Sequence, residues 1–266
     1  VGVPNTVALH FTEKGLGIPV LLIHGFPLSS AIWIQQQNGL SDHCRVITPD
    51  LRGYGQSPAP DGVHTMDTHA GDVLALMDSL GLRKAVIIGH SMGGYVTLAM
   101  WKLAPERFLA LGLVDSQAID DSEEVSQGRF QLADEVFQRG SQAAVAAMLP
   151  HLFSPTLDED ETGIIEQVRT IIANTRSSGL IASLKGMAAR PDMTKALATL
   201  TVPTLIMTGD KDSIIPPYRS DAMAAIVPNV MLVNIEDAGH LPMLEQPRAT
   251  TLALRNFLTP LGHTSF

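Results

Sequence analysis

A mostly parallel central sheet flanked by helices, the α/β class, is the fold this sequence predicts. Short apolar runs recur along the chain and alternate with longer amphipathic stretches, the rhythm of strands joined by crossover helices. Nearly every run is continuously apolar rather than alternating in polarity, as in strands covered by helices on both faces. The alternation breaks once, over about Gln117 to Pro191, where helical patterns follow one another with no strand between them.

Taken in order, the first expected strand is Pro19 to Ile23, ending at His24-Gly25. Arg45 to Thr48 follows and ends at Pro49-Asp50; Ala85 to Ile88 ends at Gly89, and Leu109 to Val114 ends at Asp115. Thr204 to Met207 and the run beginning at Val230 complete the set. Met66 to Met77 carries apolar residues at helical spacing and stops near Gly81, a fitting residue just past a helix end. Further helices are expected from Met92 to about Leu103, before Pro105, and from about Pro247 to Leu258. In the strandless region the patterns run Glu123–Arg139, Gln142–Leu149, Asp158–Thr175 and Leu180–Ala189, separated by Gly, Pro and Ser breaks. The expected organisation is therefore a core made of residues 1–116 and 192–266, interrupted by a helical cap or lid over residues 117–191.

Composition narrows the function. A length of 266 residues fits one large domain or two small ones, and 45% hydrophobic residues suffice for a sizeable core. The net charge of −9 leaves no basic footprint for nucleic acid. Cys44 is the one cysteine, which excludes an intramolecular disulfide and a multi-thiolate zinc site. No apolar run reaches the length of a membrane span. The start Val1-Gly2-Val3-Pro4-Asn5 lacks the basic and apolar blocks of a signal peptide, so a cytoplasmic location is expected, although the chain does not begin with Met and a removed leader stays open.

The strongest local signal is Gly89-His90-Ser91-Met92-Gly93, set between an expected strand and an expected helix. In such a G-x-S-x-G corner the serine hydroxyl projects from the strand end, above a helix N-terminus that favours developing negative charge. A serine nucleophile needs a base, and the base an orienting acid. Of nine histidines, His240 stands out in Asp237-Ala238-Gly239-His240-Leu241-Pro242, a loop after the last strand that opens on the same sheet edge as Ser91. His10, His43, His64, His69, His151 and His263 lie at strand edges, a helix start, the insert or the tail. For the acid, Asp210 and Asp212 share the loop after the strand at Thr204, and Asp115 ends an earlier strand; spacing alone does not choose among them. The N–H of Met92 and that of Phe26, in the loop His24-Gly25-Phe26-Pro27, form the natural pair of oxyanion donors.

Together these residues resemble the α/β-hydrolase superfamily, over about Val20 to Leu258. His24-Gly25-Phe26-Pro27 resembles its H-G-x-P element, and Asp50-Leu51-Arg52-Gly53-Tyr54-Gly55-Gln56-Ser57 its D-x-R-G-x-G-x-S loop. Gly209-Asp210-Lys211-Asp212 with Pro216 resembles its G-x-x-D-x-x-x-P acid loop, and the resemblance thereby assigns the acid to Asp212. The order Ser91, Asp212, His240 is the family's nucleophile–acid–base order. Members similar to haloalkane dehalogenases and epoxide hydrolases carry Asp where this chain has Ser91, and a serine suits acyl transfer instead. The resemblance thus implies a cofactor-free, metal-free carboxylesterase acting through an acyl-enzyme on a small-molecule ester or lactone. Enol-lactonases, C–C bond hydrolases and perhydrolases share the same pattern, and a non-catalytic ligand receptor is the reading outside enzymology. Phe26, Trp33, Met148, Leu149, Met187 and Met193 are expected to line an apolar substrate pocket between the sheet edge and the insert.

Overall fold

The computed structural model describes residues 6–157 and 162–263. Its strands are β1 (Phe11–Lys14), β2 (Ile18–Ile23), β3 (Cys44–Pro49), β4 (Ala85–His90), β5 (Phe108–Val114), β6 (Thr204–Gly209) and β7 (Val230–Ile235). They form one sheet in the spatial order β1-β3-β2-β4-β5-β6-β7. β1 pairs antiparallel with β3, and every other pairing is parallel. The continuous apolar runs have the expected cause: every residue of β4 and of β6 is buried, whereas the edge strand β7 is buried only at its last residue.

The helices are α1 (Ile34–Leu40), α2 (Met66–Ser79), α3 (Met92–Leu103), α4 (Glu123–Arg139), α5 (Ser141–Met148), α6 (Thr162–Ala173), α7 (Ser177–Ala188), α8 (Thr194–Leu197), α9 (Tyr218–Ala224), α10 (Pro242–Glu245) and α11 (Pro247–Leu258). α2 begins where the Thr65 hydroxyl accepts the Thr68 N–H at 3.1 Å. It ends on Gly81 at φ +66°, with the Leu82 N–H reaching back to the Met77 carbonyl at 2.9 Å. That left-handed residue and the reach-back bond stop a helix without leaving its last carbonyls bare.

Among the described residues, five helices in succession, α4 to α8, separate β5 from β6, and α4 packs along α7. α4 starts on the Ser122 hydroxyl, which accepts the Val125 N–H, with Glu123 and Glu124 in its first turn against the positive end of the helix dipole. The expected start of the third insert helix, at Asp158, lies outside the described residues; the helix described begins at Thr162.

The short helices α1, α8 and α10 go unpredicted, and two further features, β1 and α9, carry little apolar signal and also escape the sequence reading. β1 offers Phe11 alone as an apolar residue and is largely exposed, because backbone pairing with β3 rather than burial holds it. α9 is a single short stretch after Pro216-Pro217. Beneath the sheet edge, Arg52 Nε and Asp72 Oδ2 stand 2.5 Å apart, both side chains buried, and tie the loop after β3 to α2. Among the described residues no helix is long and apolar enough to cross a membrane.

Candidate active site

Ser91 joins β4 to α3 at φ +50° and ψ −117°, a strained backbone for a residue with a side chain. The turn closes because its flanking glycines have no Cβ. At Gly89 that atom would stand 2.1 Å from the Gly93 carbonyl oxygen, and at Gly93 it would stand 2.5 Å from that of Ile23. The Ser91 N–H donates to the Val114 carbonyl of β5 at 2.8 Å, which fixes the corner to the neighbouring strand.

His240 lies in the loop after β7 with its Nε2 2.9 Å from Ser91 Oγ and its Nδ1 2.7 Å from Asp212 Oδ2. Both partners of that second bond are buried. The other Asp212 oxygen accepts the N–H groups of Ile214 at 2.8 Å and Ile215 at 3.1 Å. Burial alone would push the Asp212 carboxyl up, but the His240 imidazole and these two N–H groups outweigh it and hold the carboxyl below its ordinary value. Of the three acids left open by spacing, Asp212 is the one the fold sets against His240. Asp210 turns to Lys211 at 2.9 Å.

Asp115 is the near neighbour. It ends β5 at φ +45°, and its Oδ1 accepts the Gly209 N–H at 2.8 Å and the Thr208 hydroxyl at 3.3 Å. Burial, and then the charge of Asp212, push its carboxyl well above the ordinary range. Ligand-type atoms of Asp115, Asp212 and His240 lie within 4.8 Å of one another, the one such grouping among the described residues. His240 Nδ1 and Asp212 Oδ2 in that grouping are already engaged with each other.

The loop that carries His240 is held from three sides. Glu245 accepts the N–H groups of Gly239 at 3.0 Å, Leu241 at 3.1 Å and Ser154, in the insert, at 2.7 Å. The His240 N–H donates to the Leu152 carbonyl at 3.0 Å, and its carbonyl accepts from His90 Nε2 at 2.8 Å. Burial lowers the His90 pKa well below the usual histidine range, which keeps that ring neutral. Glu245 and His90 escaped the sequence reading. An acid five residues after His240, amid Pro242-Met243-Leu244, is the signal for the first.

Met92 opens α3, so its N–H has no partner inside the helix. Phe26 stands in the loop after β2, which is pinned by His24: Nδ1–H donates to the Gly25 carbonyl at 2.9 Å while Nε2 accepts the Leu51 N–H at 3.0 Å. Gly25 presses on the serine corner so closely that a Cβ there would lie 2.9 Å from the Ser91 Cβ.

A cleft of about 440 Å³ opens on Ser91, and Phe26, Met148 and Met187 line it. Three other residues expected in its wall stand elsewhere. Trp33 is fully buried, its ring edge-on to His90 at 6.4 Å. Leu149, just past the end of α5, faces a separate hollow with Pro150 and Phe153. Met193 is held beside the entrance of the insert by its N–H bond to the Ala118 carbonyl at 2.8 Å, and lines a different hollow. The sequence reading also omitted Tyr95, Gln117, Arg129 and Arg219, all in the cleft wall. Val125, Arg129 and Leu132 follow helical spacing on α4, and an arginine in an otherwise apolar stripe is the signal that was there to read.

The sequence profile of the alpha/beta hydrolase fold family matches residues 18–247. This chain is an α/β-hydrolase. Among solved structures, it is similar to a thermophilic esterase from Thermogutta terrifontis with malate bound: 41% identity, TM-score 0.94, covering 96% of this chain and 94% of that one. It is also similar to the enol-lactonase from Burkholderia xenovorans LB400, at 29% identity and TM-score 0.88, covering 94% and 96%. An epoxide hydrolase of Caballeronia sordidicola shares 40% identity over 110 residues, which is 40% of this α/β-hydrolase and 33% of that protein's length.

Proposed function

We propose that this α/β-hydrolase is a serine hydrolase that cleaves carboxylic esters of small-to-medium acyl or alcohol groups through an acyl-enzyme. The observation that carries the reading is the unbroken line Ser91 Oγ, His240 Nε2, His240 Nδ1, Asp212 Oδ2, with spacings of 2.9 and 2.7 Å. His240 takes the Ser91 proton as Oγ bonds to the ester carbonyl carbon. Asp212, held ionised, orients the ring and stabilises the imidazolium without taking the proton. The N–H groups of Met92 and Phe26 receive the oxyanion. Collapse of that intermediate breaks the bond to the alcohol, which leaves with the proton from His240. Water, deprotonated by the same ring, then attacks the acyl-Ser91 ester and releases the acid. Residues 117–191 act as the cap over the reaction, since Met148 and Met187 of the insert face Ser91 across the cleft.

A serine at the corner favours acyl chemistry over the alkyl displacement that a carboxylate nucleophile performs. Lactone hydrolysis is the same reaction with the alcohol tethered, and the fold-wide likeness to an enol-lactonase supports it as the second reading. The test is turnover of a chromogenic short-chain ester by the wild type and by Ser91→Ala, with folding checked by circular dichroism. Activity should vanish in the variant, and an acyl adduct on Ser91 should appear by mass spectrometry in the wild type. Equal turnover by both proteins would overturn the serine mechanism.

A further inference from the structure

The wall of the cleft carries a charge pattern that ester hydrolysis by itself does not call for. The chain as a whole is acidic, at −9. Yet the described residues lining the cleft include two arginines, Arg129 and Arg219, and no aspartate or glutamate. A cleft of one sign with low-dielectric walls concentrates ligands of the other sign.

Neither guanidinium is cancelled where it stands. Arg129 shares a single carboxylate, Asp121, with Arg190: Arg129 Nε bonds Asp121 Oδ2 and its second terminal nitrogen lies 3.2 Å from Oδ1, while Arg190 reaches Oδ1 at 2.9 Å. Two cations on one anion leave a net positive charge. The Asp121 carboxylate is buried, and the Arg190 guanidinium carbon stands over the Tyr95 ring, 4.1 Å from its centre. The remaining terminal nitrogen of Arg129 meets the Met187 sulfur at 3.4 Å, a weak acceptor, and the Tyr95 hydroxyl, itself in the cleft wall, also hydrogen-bonds this guanidinium. Asp192, which feels Arg190, is exposed outside this cluster. Arg219, also in the cleft wall, stands 5.1 Å from the Tyr218 ring and forms no salt bridge among the described residues. The one carboxylate of the triad, Asp212, is buried and turned to His240.

We propose that the cleft selects substrates bearing a carboxylate remote from the bond to be cleaved, held by Arg129 and Arg219: half-esters of dicarboxylic acids, or lactones with a free carboxylate arm. The proposal rests on the serine-hydrolase reading above and names its substrate class. Arginine suits the task because its planar fork matches a carboxylate and never loses its charge. Apolar residues of the same cleft (Met187, Leu132, Met148) would face the methylene chain of such a substrate.

The test compares mono-p-nitrophenyl esters of the dicarboxylic acids from succinic to suberic with their ω-methyl esters, which differ only in having the charge capped. At the best chain length the wild type should favour the anionic ester at least about tenfold in kcat/KM, through KM, and added salt should erode the preference. Arg129→Gln and Arg219→Gln should each lower that ratio about tenfold. Arg219→Gln breaks no ion pair, so it keeps the test sound should Arg129→Gln, read by its melting curve, fail to fold. Turnover of the capped esters without preference for the anionic ones at any length overturns the proposal and leaves the serine mechanism standing. A preference that survives both substitutions overturns the assignment to these arginines. Turnover of neither series by the wild type overturns both readings.

Discussion

Asp115→Asn separates the roles of the two carboxyls that meet behind His240. Burial and the Asp212 charge raise the Asp115 carboxyl, whereas the His240 imidazole and two backbone N–H groups lower that of Asp212. The asparagine keeps an oxygen for the Gly209 N–H and the Thr208 hydroxyl, and its amide N–H₂ takes the place of the acid proton beside Asp212. The fold should therefore survive. What changes is the proton count. Between the ordinary aspartate value of 3.8 and its raised native value, folded Asp115 holds a proton that the unfolded chain has lost. Its contribution to stability is thus complete below 3.8 and disappears as pH rises through the native value, at about 1.4 kcal/mol per pH unit inside the window. For a chain of this size that slope is worth about 3–5 °C of Tm per pH unit. Asparagine has no such term. Melting curves followed by circular dichroism from about pH 4.5 upward should show the wild type losing ground to the variant until the pH passes the raised native value. Activity should fall less than about tenfold, against a loss on the order of 10⁴-fold in Asp212→Asn. Parallel melting curves would refute the raised Asp115 value, and an Asp115→Asn enzyme as damaged as Asp212→Asn would refute the assignment of the acid.

Glu245→Ala should strip the acceptors from three buried N–H groups, those of Ser154, Gly239 and Leu241, and cost about 3–5 kcal/mol after partial filling by water; differential scanning calorimetry measures the loss, and kcat should fall with it because the His240 loop slackens. Gly93→Ala places a methyl group 2.5 Å from the Ile23 carbonyl and 2.7 Å from that of His24, both backbone atoms. It should cost about 1–3 kcal/mol in urea unfolding and reduce ester turnover more steeply than stability, since the strain falls on the corner that aims Ser91.

Most of this architecture can be read from the chain because its causes are local. Strands β2 to β6 are continuous apolar runs, and a strand covered on both faces can be little else. Ser91 is announced by glycines that sit where a backbone leaves no room. β1 is invisible for the converse reason: it is held by hydrogen bonds to β3, and backbone bonds leave no mark on side-chain pattern. The cleft wall was half legible. Met148 and Met187 reach it, but Trp33, Leu149 and Met193 are equally apolar and face elsewhere, so composition could not sort them. Arg129 belongs to the cleft because α4 is rotated to present it there, and rotation is set by packing on α7. The choice among Asp115, Asp210 and Asp212 likewise depends on loop geometry in three dimensions; only the family's loop pattern singles out the residue that the fold sets against His240.

The threads running from residues 152–154 into the His240 loop limit how this molecule can be re-engineered. Leu152 accepts the His240 N–H and Ser154 donates to Glu245, so that stretch of the insert serves as scaffolding for the core. A chimera that exchanged all of residues 117–191 for those of a relative would sever the supports of its own imidazole. The workable graft boundary encloses α4 alone, or α4 together with α7, and leaves the Leu149–Leu157 stretch with its original host.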